Sequence, residues 1–128
     1  MAKGHRSKIK RERNAVKDTR PSAKLSYARV SVQKACFVLD AIRGKDLETA
    51  LGIVTYSPRY ASSLIKKLLE SAAANADVKE MDTDNLYVAE ICINQGPTMK
   101  RWRAGSQGRA SIILKRSSHV NVTLKEKE

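Results

Sequence analysis

Apolar residues are sparse and unpatterned over the first 22 positions and follow clear periods over most of the rest. The stretch AKLSYARV, from Ala23, reads as a short strand. Val32, Cys36, Leu39 and Ile42, with Ala35 and Val38, then recur at helical spacing and predict a helix over VQKACFVLDAIR. Ser31 stands where an N-cap belongs and Gly44 where a helix ends. Asp46 is placed to cap a short second helix with Leu47, Leu51 and Val54 inward. The clearest helix is SPRYASSLIKKLLESAAANA, with Ser57 as cap and Pro58 in the first turn. Ala61, Leu64, Ile65, Leu68, Leu69, Ala72 and Ala76 form its apolar stripe. DVKEMDTDN is an acidic, turn-like link, and LYVAEICIN follows as a strand that is apolar on both faces in part. SIILKRSSHVNVTL alternates, with Ile112, Leu114, Ser118, Val120, Val122 and Leu124 on one side and Arg116 as the exception.

This order of strand, three helices and two strands predicts a two-layer α+β domain over residues 23–128, its sequence-adjacent strands antiparallel. Residues 1–22 form a basic N-terminal extension closed by Pro21. It holds too little apolar surface to offset ordering entropy, so disorder is expected in the free chain.

Charge sharpens this division. The 128 residues carry a net +12, distributed as +7 over residues 1–24, −1 over 25–96 and +6 over 97–128. A nearly neutral body with two cationic segments points to a polyanionic partner, nucleic acid or an anionic membrane surface. No apolar run is long enough to span a bilayer, and the N-terminus lacks a secretory signal. Glu12 and Asp18 interrupt the tail, against an acid-poor mitochondrial presequence. Cys36 and Cys92 belong to no CxxC pair and sit in apolar stretches, as buried free thiols of a reducing cytosol do.

The second cationic segment is the unusual one. GPTMKRWRAGSQGRASIILKRSSH, Gly96 to His119, carries Lys100, Arg101, Arg103, Arg109, Lys115 and Arg116 and no acid. It reads as a hairpin over about 96–113, with Gly105 at the midpoint of Pro97–Ile113. With about eight residues per arm, the tip reaches roughly 25 Å beyond the body. A bare two-stranded ribbon is marginal in water, so something outside the chain must hold it. Trp102, the only tryptophan, can stack on a base, lie against a wall or fold back onto the core.

Catalysis finds no support. His5 lies in the tail, and His119 beside Ser117 and Ser118 lacks the orienting group of a nucleophilic site. Asp77, Glu80, Asp82 and Asp84 lack EF-hand order, so neither metal nor cofactor is expected. Two other binding classes compete with RNA. A DNA-binding architectural protein would want a groove-reading basic helix, and a membrane-surface binder would want apolar residues among the tail cations.

Four segments together resemble one family: YARVSVQKACFVLDAIRGKDLETAL, KLLESAAANA, NLYVAEICINQGPTMKR and GRASIILKRSSHV. In order and spacing they are similar to the L22 family of large-subunit ribosomal proteins, over roughly residues 23–124. The resemblance implies three helices on a three-stranded antiparallel sheet (β-α-α-α-β-β), with a long protruding β-hairpin beyond it. It implies no enzyme but a cytoplasmic ribosomal constituent that binds large-subunit ribosomal RNA and supports subunit assembly. Its partners would be that RNA, neighbouring ribosomal proteins and the nascent polypeptide, with no membrane involved. The hairpin residues Met99, Lys100, Arg101, Trp102, Arg103, Ala104, Gly105, Ser106, Gln107, Gly108 and Arg109 would line the peptide exit tunnel. Arg29, Lys34, Lys100, Arg101, Arg109, Lys115, Arg116 and His119 match RNA-contacting or hairpin-shaping positions. Lys45, Arg103 and the tail cations Arg6, Lys8, Lys10, Arg11, Arg13, Lys17 and Arg20 complete the candidate RNA-binding set. At the tip the family usually reads Pro-Arg-Ala before Gly-Arg-Ala; here Ala104-Gly105-Ser106-Gln107 precedes Gly108-Arg109-Ala110.

Overall fold

A computed structural model describes residues 8–12, 15 and 19–127. Arg6, Arg13 and Lys17 lie outside the described residues. Where disorder was expected, residues 8–12 and 15 are helical and exposed. Lys, Arg, Glu and Ala are strong helix formers, so composition favours a local helix here, though one this short gains nothing from packing.

The body begins with β1 (Ser22–Ala28), followed by α1 (Val32–Ile42), α2 (Leu47–Tyr56) and α3 (Tyr60–Asp77). After a 3-10 turn at Thr83–Asn85 come β2 (Leu86–Gln95), β3 (Met99–Ala104), β4 (Ala110–Lys115) and β5 (Ser118–Glu126). The buried stripe of α1 is Ala35, Val38, Leu39 and Ile42, with Val32 and Cys36 half-buried at its margin. Gly44 adopts φ 71° past the helix end, the left-handed geometry that favours glycine. Its N–H donates to the Val88 carbonyl, and Val88 N–H returns to Lys45, so the α1–α2 link is tied to β2.

The third helix starts later than its sequence suggests. Ser57 ends α2 rather than opening α3, and Arg59 is the residue that precedes the first turn. Ser57 (ψ 125°) and Arg59 (ψ 135°) are both extended, and the start of α3 carries no side-chain cap, so the Ser57-Pro58 signal is not used and the first turn forms from Tyr60. The expected stripe of α3 is buried apart from half-buried Leu64, and Ser62 joins it. Near its C-terminal end, Lys79 Nζ donates to the Thr19 and Arg20 carbonyls and Asn75 Nδ2 to the Ser22 carbonyl. These bonds fix the chain as it enters β1.

The sheet runs β1-β5-β2, antiparallel throughout. One face meets the helices: Ala23, Val122 and Ile91 lie side by side and are buried. The opposite face carries Lys24, Asn121 and Cys92 in register and is exposed. Cys92 is therefore an exposed thiol, not the buried one its apolar stretch suggests, and Cys36 is half-buried. The cause is a one-residue bulge in β2. Val88 pairs with Leu124 and Glu90 with Thr123, leaving Ala89 over. The inward phase thus switches from Leu86 and Val88 to Ile91 and Ile93, which is why the strand reads as apolar on both faces.

The last apolar run is two strands, not one. It breaks at Arg116–Ser117, where the chain leaves the body sheet. β5 pairs with β1 and β2, while β4 pairs only with β3 in a second, two-stranded sheet. Ile112 and Leu114 are accordingly 51% and 44% exposed instead of sharing the core with Val120 and Val122. The pairing runs from Met99↔Lys115 to Ala104↔Ala110, so the return arm extends two residues beyond Ile113. This moves the centre of the tip from Gly105 to Gln107 and gives six-residue arms in place of eight. At ~3.3 Å per residue the ribbon is about 20 Å long. Its tip closes through Gly105 N–H to the Arg109 carbonyl at 2.7 Å, with Gln107 (φ 55°) and Gly108 (φ 69°) both left-handed.

At the ribbon's root, Gly96 N–H donates to the Ser117 carbonyl at 2.9 Å and Ser117 Oγ donates to the Pro97 carbonyl at 2.7 Å. A Cβ on Gly96 would meet Ser117 Oγ at 2.6 Å, His119 Nε2 at 3.1 Å and the Ser117 carbonyl carbon at 3.3 Å. Gly96→Ala is expected to destabilise the fold by about 1–3 kcal/mol through this overpacking. Urea denaturation measures it; an unchanged midpoint would mean that the root yields freely.

Candidate nucleic-acid interface

A cleft of about 840 Å³ opens where the ribbon's root faces the starts of α1 and α3. Six cations line it: Arg29, Lys34, Arg59, Arg101, Lys115 and Arg116, with no acid among the lining residues. Each arrives from a different local context. Arg29 follows β1, Lys34 lies in the first turn of α1 and Arg59 precedes α3. Arg101 and Lys115 come from the two arms of the ribbon, and Arg116 from the link to β5. Met99 lies between the walls, with Arg29 Nη1 3.5 Å and Arg101 Nη2 3.9 Å from its sulfur.

The backbone adds to the same field. Both α1 and α3 begin at this cleft, and neither start has a side-chain cap or an acid in its first turn. The first N–H groups of a helix lack intrahelical partners and concentrate the positive end of its dipole. Phosphates fit such an arrangement without desolvating a carboxylate.

Of the sequence-derived candidates, the fold thus gathers Arg29, Lys34, Arg101, Lys115 and Arg116, and places Met99 at the ribbon's root among them. Arg103 and Arg109 lie exposed further along the ribbon, and Lys100 is exposed on its other face, level with the cleft and paired with Leu114. Lys45 sits beside Val88, at the other end of β2 from the ribbon. Arg20 is engaged with Glu90 at 2.7 Å, and Lys8, Lys10 and Arg11 are exposed in the tail. Arg59 was not singled out from sequence. The one signal for it was a cation between Pro58 and Tyr60 at a helix start, in a segment of nearly neutral balance.

The register also sorts the ribbon into two faces. Paired residues share a face and successive pairs alternate. Lys100 with Leu114, Trp102 with Ile112, and Ala104 with Ala110 make one face, mostly apolar. Met99 with Lys115, Arg101 with Ile113, and Arg103 with Ser111 make the other, which carries three cations. Trp102 is 68% exposed and so does not fold back onto the core.

His119 has a definite local task. β1 carries an extra residue between Leu25 and Ala28, and Tyr27 there has φ 57°. The Tyr27 N–H, lacking a ladder partner, donates to His119 Nδ1 at 3.0 Å, and the two rings meet edge to face at 4.6 Å. The imidazole completes a β-bulge beside the ribbon's root.

Among the described residues there is no metal-binding cluster, and no helix is long and apolar enough to cross a membrane. The chain belongs to the family described as Ribosomal protein L22p/L17e, whose family model matches residues 23–125. It is a structural protein and not an enzyme. It is 70% identical to the Large ribosomal subunit protein uL22 of Agathobacter rectalis, over 99% of this chain and 100% of that relative. It is similarly 50% identical to the protein of that name in Clostridioides difficile, over 83% of this chain and 96% of the relative. With the one from Bdellovibrio bacteriovorus it shares 49% identity over 82% of this chain and 96% of the relative.

An acceptor at Nδ1 requires the neutral imidazole with its proton on Nε2. Nitrogen-15 shifts of the His119 ring at neutral pH are expected to show that tautomer; a proton on Nδ1 would contradict the Tyr27 bond.

Proposed function

We propose that this protein is a structural constituent of the large ribosomal subunit that binds large-subunit ribosomal RNA through the cleft at the ribbon's root. The carrying observation is the cleft itself, with six cations, two uncapped helix starts and no acid. The family and the names of the relatives support the same reading. RNA backbone fits better than a DNA groove, because the cations converge on a cleft and do not line one helix face. Lys45, His119 and the tail cations extend the contact, and binding across these elements supports subunit assembly.

The ribbon lines the nascent-peptide exit tunnel in this reading. Its Arg101, Arg103 and Lys115 face suits phosphates, and its Trp102 and Ile112 face suits a wall or the passing polypeptide. Neighbouring ribosomal proteins complete its surroundings, in the cytoplasm where ribosomes work.

Binding of the purified protein to a large-subunit ribosomal RNA transcript should weaken steeply with salt. If each of the six cleft cations meets a phosphate, the log–log slope from the cleft is about −4 to −5. Lys34→Gln and Lys115→Gln should each reduce its magnitude by about 0.7–0.9. A slope near zero would overturn the proposal. For the ribbon, hydrogen exchange at residues 98–110 should slow markedly on incorporation into subunits, and equal protection in both states would count against it.

A further inference from the structure

The cleft has an aromatic rim that phosphate binding does not explain. Phe37, on α1 one turn beyond Lys34, is 65% exposed. Tyr60, the first residue of α3, is 67% exposed and lines the cleft itself. Between them lies Arg59, whose guanidinium carbon stands 5.3 Å from the centre of the Phe37 ring. Thus a planar cation is held over an exposed ring at the edge of a cationic cleft. Asp40, the next acid along α1, is engaged with Arg43 at 3.2 Å.

We propose that Phe37 and Arg59 form a stacking shelf for an unpaired base of the RNA whose phosphates occupy the cleft. This rests on the RNA-binding reading above and adds to it a base-level contact. The contact sets a guanidinium and an aromatic ring beside one another at the cleft's edge. Unpaired bases stack on both arginine planes and aromatic faces, whatever their identity. The charge around the shelf favours a nucleotide over a protein side chain: Arg59 is itself a cation, Lys34 stands one turn before Phe37, and the cleft beyond carries no acid. A base leaving a backbone seated in the cleft would reach Tyr60 and Arg59 first, then Phe37.

Two variants separate stacking from charge. Phe37→Leu keeps an apolar helix former but removes the ring; Arg59→Lys keeps the charge but removes the plane. Each should lower affinity for the large-subunit ribosomal RNA transcript by roughly fivefold or more, with the salt slope unchanged. Thermal denaturation matching the unmodified chain controls for folding, since both side chains are exposed. Base-specific chemical probing should show one or two unpaired bases protected by the unmodified protein and not by Phe37→Leu, with the backbone footprint retained. If the unmodified chain binds with a steep salt slope while both variants match it in affinity and base protection, the shelf is refuted and the cleft reading stands. Retained RNA affinity with weakened binding to other ribosomal proteins would refute it too, marking the rim as a protein contact. Failure of the unmodified chain to bind the transcript would remove the cleft reading and the shelf with it.

Discussion

Ser117 holds the point at which one pair of strands becomes another. Its carbonyl accepts the Gly96 N–H and its hydroxyl reaches the Pro97 carbonyl, so the segments leaving β2 and entering β5 are pinned together. On one side of this clamp the chain answers to the core: β2 and β5 place Ile91 and Val122 under the helices. On the other side there are no helices to answer to, and β3 and β4 pair with each other alone. The clamp also sets the cleft, because Arg101, Lys115 and Arg116 leave it on one wall while Arg29, Lys34 and Arg59 stand on the other. A bulkier residue at Gly96 would push against both Ser117 and His119. The core, the ribbon and the cationic walls therefore meet at a few tightly packed atoms.

The distribution of acids follows the same geometry. Glu90 engages Arg20, Asp46 engages Lys127 and Asp40 engages Arg43, all outside the cleft. Each pair is about half exposed and contributes little to stability, on the order of 0–1 kcal/mol. Their placement matters more than their strength, since the carboxylates are occupied elsewhere and the cleft keeps its positive potential. Mutual repulsion within the cleft is relieved by solvent and salt in the free protein, and in the proposed complex phosphates would take over that role.

The sequence made the α+β class and the helical stripes legible, because burial against a single layer writes itself as a 3.6-residue period through Leu39, Ile65 and Leu69. What it hid were events of one or two residues. The bulge at Ala89 flips the phase of β2, and it turned Cys92 from an expected core thiol into an exposed one. At Ser57-Pro58 the capping signal was present but unused, since α3 starts two residues later behind an extended Arg59 with no side-chain cap. The break at Arg116 was written as the one exception in an otherwise regular alternation, yet it divides core from ribbon. The cleft was legible only in pieces. Its cations span positions 29 to 116, and Arg59 sits in a stretch whose charge balance gave no reason to single it out.

The two-faced register of the ribbon constrains how such a hairpin can change length. Its pairing is fixed at the root and owes nothing to the core, so matched residues can be added to both arms without disturbing the body. One added pair moves the tip outward by roughly 3.3 Å but turns every pair beyond it over, exchanging the Arg103 side with the Trp102 side. Two added pairs, about 7 Å, restore the facing. Reach and orientation are thus quantised together, and a ribbon that is to keep its cationic side and its apolar side facing as they do can lengthen only in double steps.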